Sequence, residues 1–200
     1  IDASTALVHV APWAVVLAGN FARNLWIGGA VRAGLDAARL SSAGLVHNSG
    51  AAAATLGDIV GTLDADELAP TPDGRFALDQ GYAKRHASCS YTHAAVDTVQ
   101  ALLPMVDPAD VADVHVRTHA LAEPLFDRHP STRLGAMFSL PFVVSAAVVA
   151  GRIDVESLTP DSATFRAAET FSERVHVASS PALTALLPGR RAAEVDIVLF

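Results

Sequence analysis

Several reactive residue types are almost absent from this sequence. Its 200 residues include one cysteine and two tyrosines, and Lys84 is the single lysine. One cysteine cannot build a disulfide framework and fits a reducing compartment, so we expect a cytoplasmic location. Because His115, His119 and His129 form no HxxxH pattern and no CxxC pair is present, a metal site is not expected either.

Positive charge and long apolar runs are scarce as well. The chain has 14 basic against 21 acidic residues, a net charge of -7, and no basic run. A nucleic-acid partner is therefore not expected. The apolar run at residues 6–19 is shorter than the ~20 residues that span a bilayer, and it contains His9 and Pro12. It predicts a buried core helix, so a membrane partner is not expected.

Apolar side chains are abundant. The sequence is 51% hydrophobic and its mean hydropathy is +0.34, which is enough to bury the core of one large or two small domains. Residues 6–56 predict helices with short breaks, and glycines and alanines at 21–45 predict close helix packing up to a stop at Gly44. An acidic stretch with prolines follows at 64–74. We predict two domains, 1–60 and 61–200, the first being the end of an all-helical domain.

The second domain alternates in element type. A helix at 92–103 is predicted to begin at a Thr92 cap and to end at Pro104. Residues 111–118 alternate between apolar and polar side chains, as a half-buried strand does. Further predicted elements are a long helix at 132–150 kinked at Pro141, a helix at 161–170, and strands at 174–178 and 193–199. Without regular βαβ units, this pattern predicts an α+β domain with a small sheet.

The scarce reactive residues gather in one stretch, at 82–93, just before and within the start of the predicted helix. Lys84 and Arg85 are adjacent cations upstream of that helix start, where free N–H groups and a partial positive charge favour anions. The arrangement predicts a carboxylate-binding site. The alternative is a pair of solvated surface charges.

Three more side chains of this stretch are candidates. His93 lies in the first turn of the helix with Asp97 one turn later, so a neutral His93 beside a bound carboxylate could move protons. Alternatively, it only bonds a neighbour at the helix start. Cys89 could be a reactive thiolate or a small buried residue. Tyr91 could donate a hydrogen bond to a ligand or anchor the core.

The same stretch resembles a family motif. Residues 84–97 read K-x4-C-x-Y-T-H-x3-D, similar to the K-P-Y-x-x-C-x-Y-T-H-x-x-I-D segment of the MmgE/PrpD family. That family includes 2-methylcitrate dehydratases, cis-aconitate decarboxylases and iminodisuccinate epimerases. Residues 25–44 resemble its glycine- and alanine-rich helix, and residues 130–151 resemble its P-x-T…S-x-P-Y-x-V helix. The resemblance covers nearly the whole chain but only the later part of the family's length.

This resemblance implies a helical domain followed by an α+β lid, a site in the cleft between them, and a homodimer. It implies dehydration or decarboxylation of a small di- or tricarboxylate by proton transfer beside a carboxylate, without metal or cofactor. Lys84 matches the lid's active-site lysine and His93 the motif's histidine, so both are predicted to be catalytic. The predicted substrate-binding residues are Arg23, Arg85, Cys89, Tyr91 and Arg133.

The sequence also departs from the family pattern. Trp26 stands where the helix motif has a histidine, and Phe142 stands where the lid has a tyrosine. The chain begins and ends in apolar segments, and the family's upstream aspartate and histidine are not in it, which predicts that part of the fold lies elsewhere. Two hypotheses follow. The protein is a divergent lyase or isomerase, or it is a non-catalytic or partner-dependent subunit that complements a chain carrying the upstream helices.

Overall fold

The structure is a computed structural model that describes residues 13–47, 50–64, 66, 73–75, 79 and 81–200. The side chain of Arg23 and residues 1–12, which hold half of the predicted helix at 6–19, lie outside the described part. The described residues belong to two compact units. We call Phe21–Ala83 the helical unit, and Trp13–Asn20 with Lys84–Phe200 the sheet unit. The predicted domain boundary near residue 60 stays a prediction.

The described elements follow in chain order. The helices are α1 (Ala14–Leu17), α2 (Ala22–Ser42), α3 (Ala51–Ala53, continued as a π-helix over Ala54–Val60), α4 (His93–Leu102), α5 (Arg133–Met137), α6 (Leu140–Ala150), α7 (Ala163–Ser172) and α8 (Pro181–Thr184). Short 3-10 turns cover Ser90–Thr92, Leu103–Met105, Pro108–Asp110 and Ala120–Leu125. The strands are β1 (Val111–Thr118), β2 (Val175–Ser179) and β3 (Glu194–Leu199). None of the described helices combines the length and apolar character that crossing a membrane requires.

The three strands form one mixed sheet in the order β2-β1-β3. Strand β1 runs parallel to β2 and antiparallel to β3. Along β1, Val114, Val116 and Thr118 are buried, whereas His115 and Arg117 between them are exposed, as the alternating sequence predicts. The three predicted strands are present, and the predicted α+β fold with a small sheet is confirmed.

Helix α6 lies at the centre of the sheet unit and packs against α4, α7 and β2. Its residues from Leu140 to Val148 are all buried, because a helix with apolar or small side chains on every side has no face to present to water. Three residues of α4, Ala95, Val96 and Val99, are also fully buried. This packing fixes the start of α4, and with it the stretch that carries the candidate site.

The prediction of one kinked helix at 132–150 is wrong. The chain forms two helices, α5 and α6, separated at Phe138 and Ser139. Ser139 has an extended backbone, and its hydroxyl accepts a hydrogen bond from the N–H of Phe142 (3.2 Å) while donating to the carbonyl of Asp127. Pro141 therefore lies in the first turn of α6, where a missing N–H costs no intrahelical hydrogen bond. The proline starts a helix instead of kinking one.

The helical unit has little core among its described residues. The predicted helix is confirmed as α2, and Gly44 follows it with a φ of 71°. However, Leu25 and Val31 of α2 are 75% and 60% exposed, and Ala37 is the one buried residue that the structure describes in this unit. At Gly28 and Gly34 a Cβ atom would meet no described atom within 4 Å. The close helix packing predicted at these glycines is therefore absent from the described residues.

Candidate functional site

Hydrogen bonds hold the segment that leads into α4. The backbone N–H of Cys89 donates to the carbonyl of Met137 at the end of α5 (2.8 Å). The hydroxyl of Thr92 donates to the carbonyl of Cys89 (2.8 Å) and lies 2.7 Å from the hydroxyl of Ser88. Thr92 precedes α4 as predicted, but its side chain caps no helical N–H. Instead, it closes a 3-10 turn over Ser90–Thr92, which fixes the direction in which α4 begins.

Lys84 is tied to this turn. Its Nζ atom donates a hydrogen bond to the carbonyl of Ser88 (2.9 Å). An ammonium group has three N–H donors, so this bond positions the charge and leaves donors for a ligand. The side chain is exposed, and its charge contributes to lowering the pKa of His93. The ammonium group is therefore held beside His93 at an accessible position.

His86 and Asp97 form a pair next to Lys84. The Nε2 atom of His86 lies 3.0 Å from Oδ1 of Asp97, and the His86 side chain is only 6% exposed. The guanidinium of Arg85 lies 3.6 Å from the same oxygen, but that side chain is 78% exposed. The sequence predicted that Asp97 raises the pKa of His93 or fixes its tautomer. The hydrogen bond goes instead to His86, and Asp97 acts on His93 only through its charge.

His93 is the titratable group whose pKa these residues shift. Its ring packs edge-on against the ring of His86, with centroids 5.1 Å apart. Burial is the main cause that lowers the pKa of His93, and the charges of His86 and Lys84 lower it further. A backbone hydrogen bond at Ser88 and the charge of Asp97 raise it, without reversing the direction. His93 is therefore neutral at pH 7.

The two nitrogens of His93 differ. Nε2 is buried and has no hydrogen-bond partner among the described residues. The backbone hydrogen bond at Ser88 therefore belongs to Nδ1, which then carries the proton of the neutral ring. This assignment leaves the lone pair on Nε2, where a neutral imidazole can accept a proton.

Cys89 and Tyr91 have different surroundings. Cys89 is 6% exposed and sits where its backbone ties the turn to α5. The ring of Tyr91 packs edge-on against His119, with centroids 5.0 Å apart, and the guanidinium carbon of Arg191 lies 5.2 Å from the Tyr91 ring centroid. Both residues therefore have structural contacts of their own, and the substrate-binding roles predicted for them stay predictions.

Arg133 makes its described side-chain hydrogen bond outside this network. Arg133, at the start of α5, donates from NH2 to the hydroxyl of Thr159 (2.9 Å). Arg23 belongs to α2, and its side chain is outside the described part. Phe142 is fully buried and packs against Phe165 with centroids 4.6 Å apart. The position where the family has a tyrosine is thus a core position in this chain.

Sequence reasoning missed three residues of this region. His86 follows Lys84 by two residues, and its position in the same reactive stretch is a signal that could have identified it. His119 and Arg191 come from the end of β1 and the segment before β3, and nothing in their local sequence links them to Tyr91. Only the folded sheet brings them together.

The chemistry of the cluster is that of an anion site with a base. Lys84 supplies N–H donors and positive charge, His93 supplies an unprotonated nitrogen, and the His86–Asp97 pair lies beside it. Among the residues that the structure describes, no group of three or more histidine, cysteine, aspartate or glutamate side chains is placed to hold a metal ion. An ammonium group is a chemical partner for a carboxylate, and a neutral imidazole is one for a proton.

Comparison with known proteins places the chain in a family. No curated protein matches the sequence significantly. The family model described as the MmgE/PrpD C-terminal domain matches residues 86–200, a range that begins just after Lys84 and Arg85 and includes His86, His93 and Asp97. Because this match covers more than half of the chain, the protein belongs to the MmgE/PrpD family.

Proposed function

We propose that the protein is a lyase or isomerase that acts on a small di- or tricarboxylate. The observation that carries this proposal is the buried, unpartnered Nε2 of a neutral His93 next to the ammonium group of Lys84. A base and a cation at one helix start suit proton removal from a carbon that bears a carboxylate. Family membership supports the same class of chemistry.

In the proposed reaction, Lys84 binds a carboxylate of the substrate through a charge-assisted hydrogen bond. Nε2 of His93 then removes a proton from the carbon next to that carboxylate, and the electron pair of the C–H bond moves into an enolate-like carboxylate. Lys84 stabilises the added negative charge. The protonated His93 returns its proton to the leaving hydroxyl group, which departs as water, or solvent protonates the carbon on its other face and His93 releases its proton to solvent.

A decarboxylating variant forms a similar anion without prior removal of a proton. Here the C–C bond to a carboxylate breaks, CO2 leaves, and the electron pair stays on the carbon as an enolate-like anion. His93 binds a proton from solvent and delivers it to that carbon. Which branch operates depends on the substrate: Lys84 stabilises the anion in both, whereas His93 is the base in the first branch and the proton donor in the second.

The test is exchange and turnover in D2O, with 2-methylcitrate and cis-aconitate as probes and NMR as the readout. We expect exchange of the proton beside a carboxylate or conversion of one of these acids. His93→Gln should slow that step by ~100-fold or more, whereas His47→Gln, an exposed histidine of the helical unit, should leave it unchanged. Lys84→Arg should retain more activity than Lys84→Met. Absence of exchange, turnover and binding for all acids, or full activity of His93→Gln, would refute the proposal.

A second candidate function is that of a partner-dependent subunit. The buried Phe142 cannot supply the hydroxyl of the family's lid tyrosine, and Trp26 of α2 cannot transfer a proton. In this case the carboxylate site is completed by a second copy or by a chain carrying the upstream helices. We expect size-exclusion chromatography to show an oligomer and turnover to rise with protein concentration. A folded monomer with concentration-independent turnover would exclude this alternative.

A further inference from the structure

Arg191 is held in the sheet unit by contacts with two neutral side chains. Its guanidinium carbon lies 5.2 Å from the centroid of the Tyr91 ring, and its NH1 donates to the hydroxyl of Ser90 (3.3 Å). Both contacts are with neutral groups. Among the described residues, no carboxylate lies within ion-pair distance of this guanidinium.

Two other arginines of the sheet unit show the alternative of pairing with carboxylates, whereas Arg174, like Arg191, lies over aromatic rings. Arg117 pairs with Glu194 at 2.8 Å and with Asp196 at 2.9 Å, and Arg152 pairs with Asp154 at 2.5 Å. Their positive charges are compensated within the chain. The charge of Arg191 is not, although its side chain is positioned by an aromatic ring and a hydroxyl.

This mode of contact leaves the guanidinium available to a ligand. The cation–π contact occupies one face of the Arg191 guanidinium, and Ser90 accepts a hydrogen bond from one of its N–H groups. The remaining N–H groups lie in the plane of the guanidinium and can donate to an anion. Arginine binds carboxylates through two parallel hydrogen bonds in this way. Holding the side chain in advance also lowers the conformational entropy lost on binding.

A second observation concerns the ring nitrogens of the neighbouring residue His119. The ring of His119 packs edge-on against the same Tyr91 ring that Arg191 contacts. It is fully buried, and neither of its ring nitrogens has a hydrogen-bond partner among the described residues. Buried polar atoms without partners are uncommon and concentrate at functional sites. Arg191 and His119 thus lie against the same Tyr91 ring, and each has N–H donor capacity that no described group uses.

We propose that Arg191, with Ser90 and the ring of Tyr91 as its support, is a binding subsite for a carboxylate of the substrate. This inference rests on the proposed function, because it assigns the site a second cationic anchor besides Lys84. Ser90 and Tyr91 belong to the turn that starts α4, so the same turn supports both anchors. Two anchors select di- and tricarboxylates over monocarboxylates.

The experiment is titration of the chain with citrate, followed by calorimetry at low ionic strength. Arg191→Gln should weaken citrate binding by roughly tenfold or more, and Arg191→Lys should recover part of it. Arg190→Gln is the matched control, because it removes the same charge from the adjacent exposed residue and should change the dissociation constant by less than about twofold. Tyr91→Leu, which removes the supporting ring, should weaken citrate binding as well.

Three results would overturn the inference: no citrate binding by the wild-type chain, equal weakening in the Arg190 and Arg191 variants, or no weakening in either. Inorganic phosphate competing as well as citrate would show a general anion site and would also overturn the carboxylate assignment. The outcome is separable from the proposed function. Arg191-dependent citrate binding without turnover of any acid refutes the function alone, whereas unchanged binding and turnover in Arg191→Gln refute the subsite alone.

Discussion

At the scale of single residues, His93, which is half-buried, and His119, which is fully buried, are histidines of the sheet unit with a shifted pKa. Burial lowers the pKa of both His93 and His119, and neighbouring positive charge adds to the effect in each case. His93 could be predicted from the sequence because it lies in a motif next to Lys84. His119 could not, since the groups that bury it come from distant parts of the chain.

His119 predicts a pH dependence of stability. Its pKa in the folded chain is lowered by burial and then by Arg191, below the ordinary value of about 6.5 that it regains on unfolding. The unfolded chain therefore binds the proton first as the pH falls. The free energy of unfolding is fully retained above about pH 6.5 and decreases below it, by at most about 1.4 kcal/mol per pH unit for this group.

Denaturant unfolding between pH 5 and pH 8 measures this effect. His119→Phe, which cannot titrate, should show a smaller loss of stability below pH 6.5 than the wild-type chain does. His47→Gln is the control, because this histidine is exposed, and its pH profile should match the wild type. Three parallel profiles would contradict the assignment.

At the scale of elements, the sequence pattern predicted the helices and strands that depend only on local sequence. The alternation of Val114, His115 and Val116 identified β1, and the apolar stripe of α4 identified that helix. The break between α5 and α6 was not predictable in the same way. The break depends on Ser139, whose hydroxyl donates a hydrogen bond to the carbonyl of Asp127 in an earlier segment. A local sequence pattern does not predict such a tertiary hydrogen bond.

The same limit applies to Gly19, whose role depends on a segment far along the chain. Its φ is 67°, and an added Cβ would lie 2.2 Å from Oγ1 of Thr132 and 3.0 Å from the backbone nitrogen of Gly135. The hydroxyl of Thr132 also donates to the carbonyl of Gly19 (3.0 Å). Both the backbone angle and the close approach therefore require glycine here.

Replacing Gly19 should separate these two requirements. Gly151 has a φ of 71° and no atom within 4 Å of an added Cβ, so Gly151→Ala should cost only the backbone strain, about 1–2 kcal/mol. Gly19→Ala should cost that strain plus about 1–3 kcal/mol for the clash. Chemical denaturation of both variants gives the difference. Equal losses would show that the loop before α2 does not pack against the start of α5.

At the scale of the whole molecule, the core is distributed unevenly. The buried apolar side chains of the described residues lie in the sheet unit, apart from Ala37. Burial of apolar area is the main favourable term in folding. The sheet unit therefore has the larger part of the stabilisation that the described residues supply, and the family match over residues 86–200 falls within it.

The two tryptophans allow this difference to be measured, because Trp13 belongs to the sheet unit and Trp26 to the helical unit. Trp13 packs against Phe138 with ring centroids 5.5 Å apart, whereas Trp26 lies on α2, where Leu25 and Ile27 are largely exposed. We expect Trp26 fluorescence, observed in Trp13→Phe, to change at lower urea concentration than Trp13 fluorescence, observed in Trp26→Phe. Far-UV circular dichroism of the wild-type chain should show both steps. Coincident transitions in the two variants would mean that the units unfold as one cooperative body, and the uneven core would then not determine their stability.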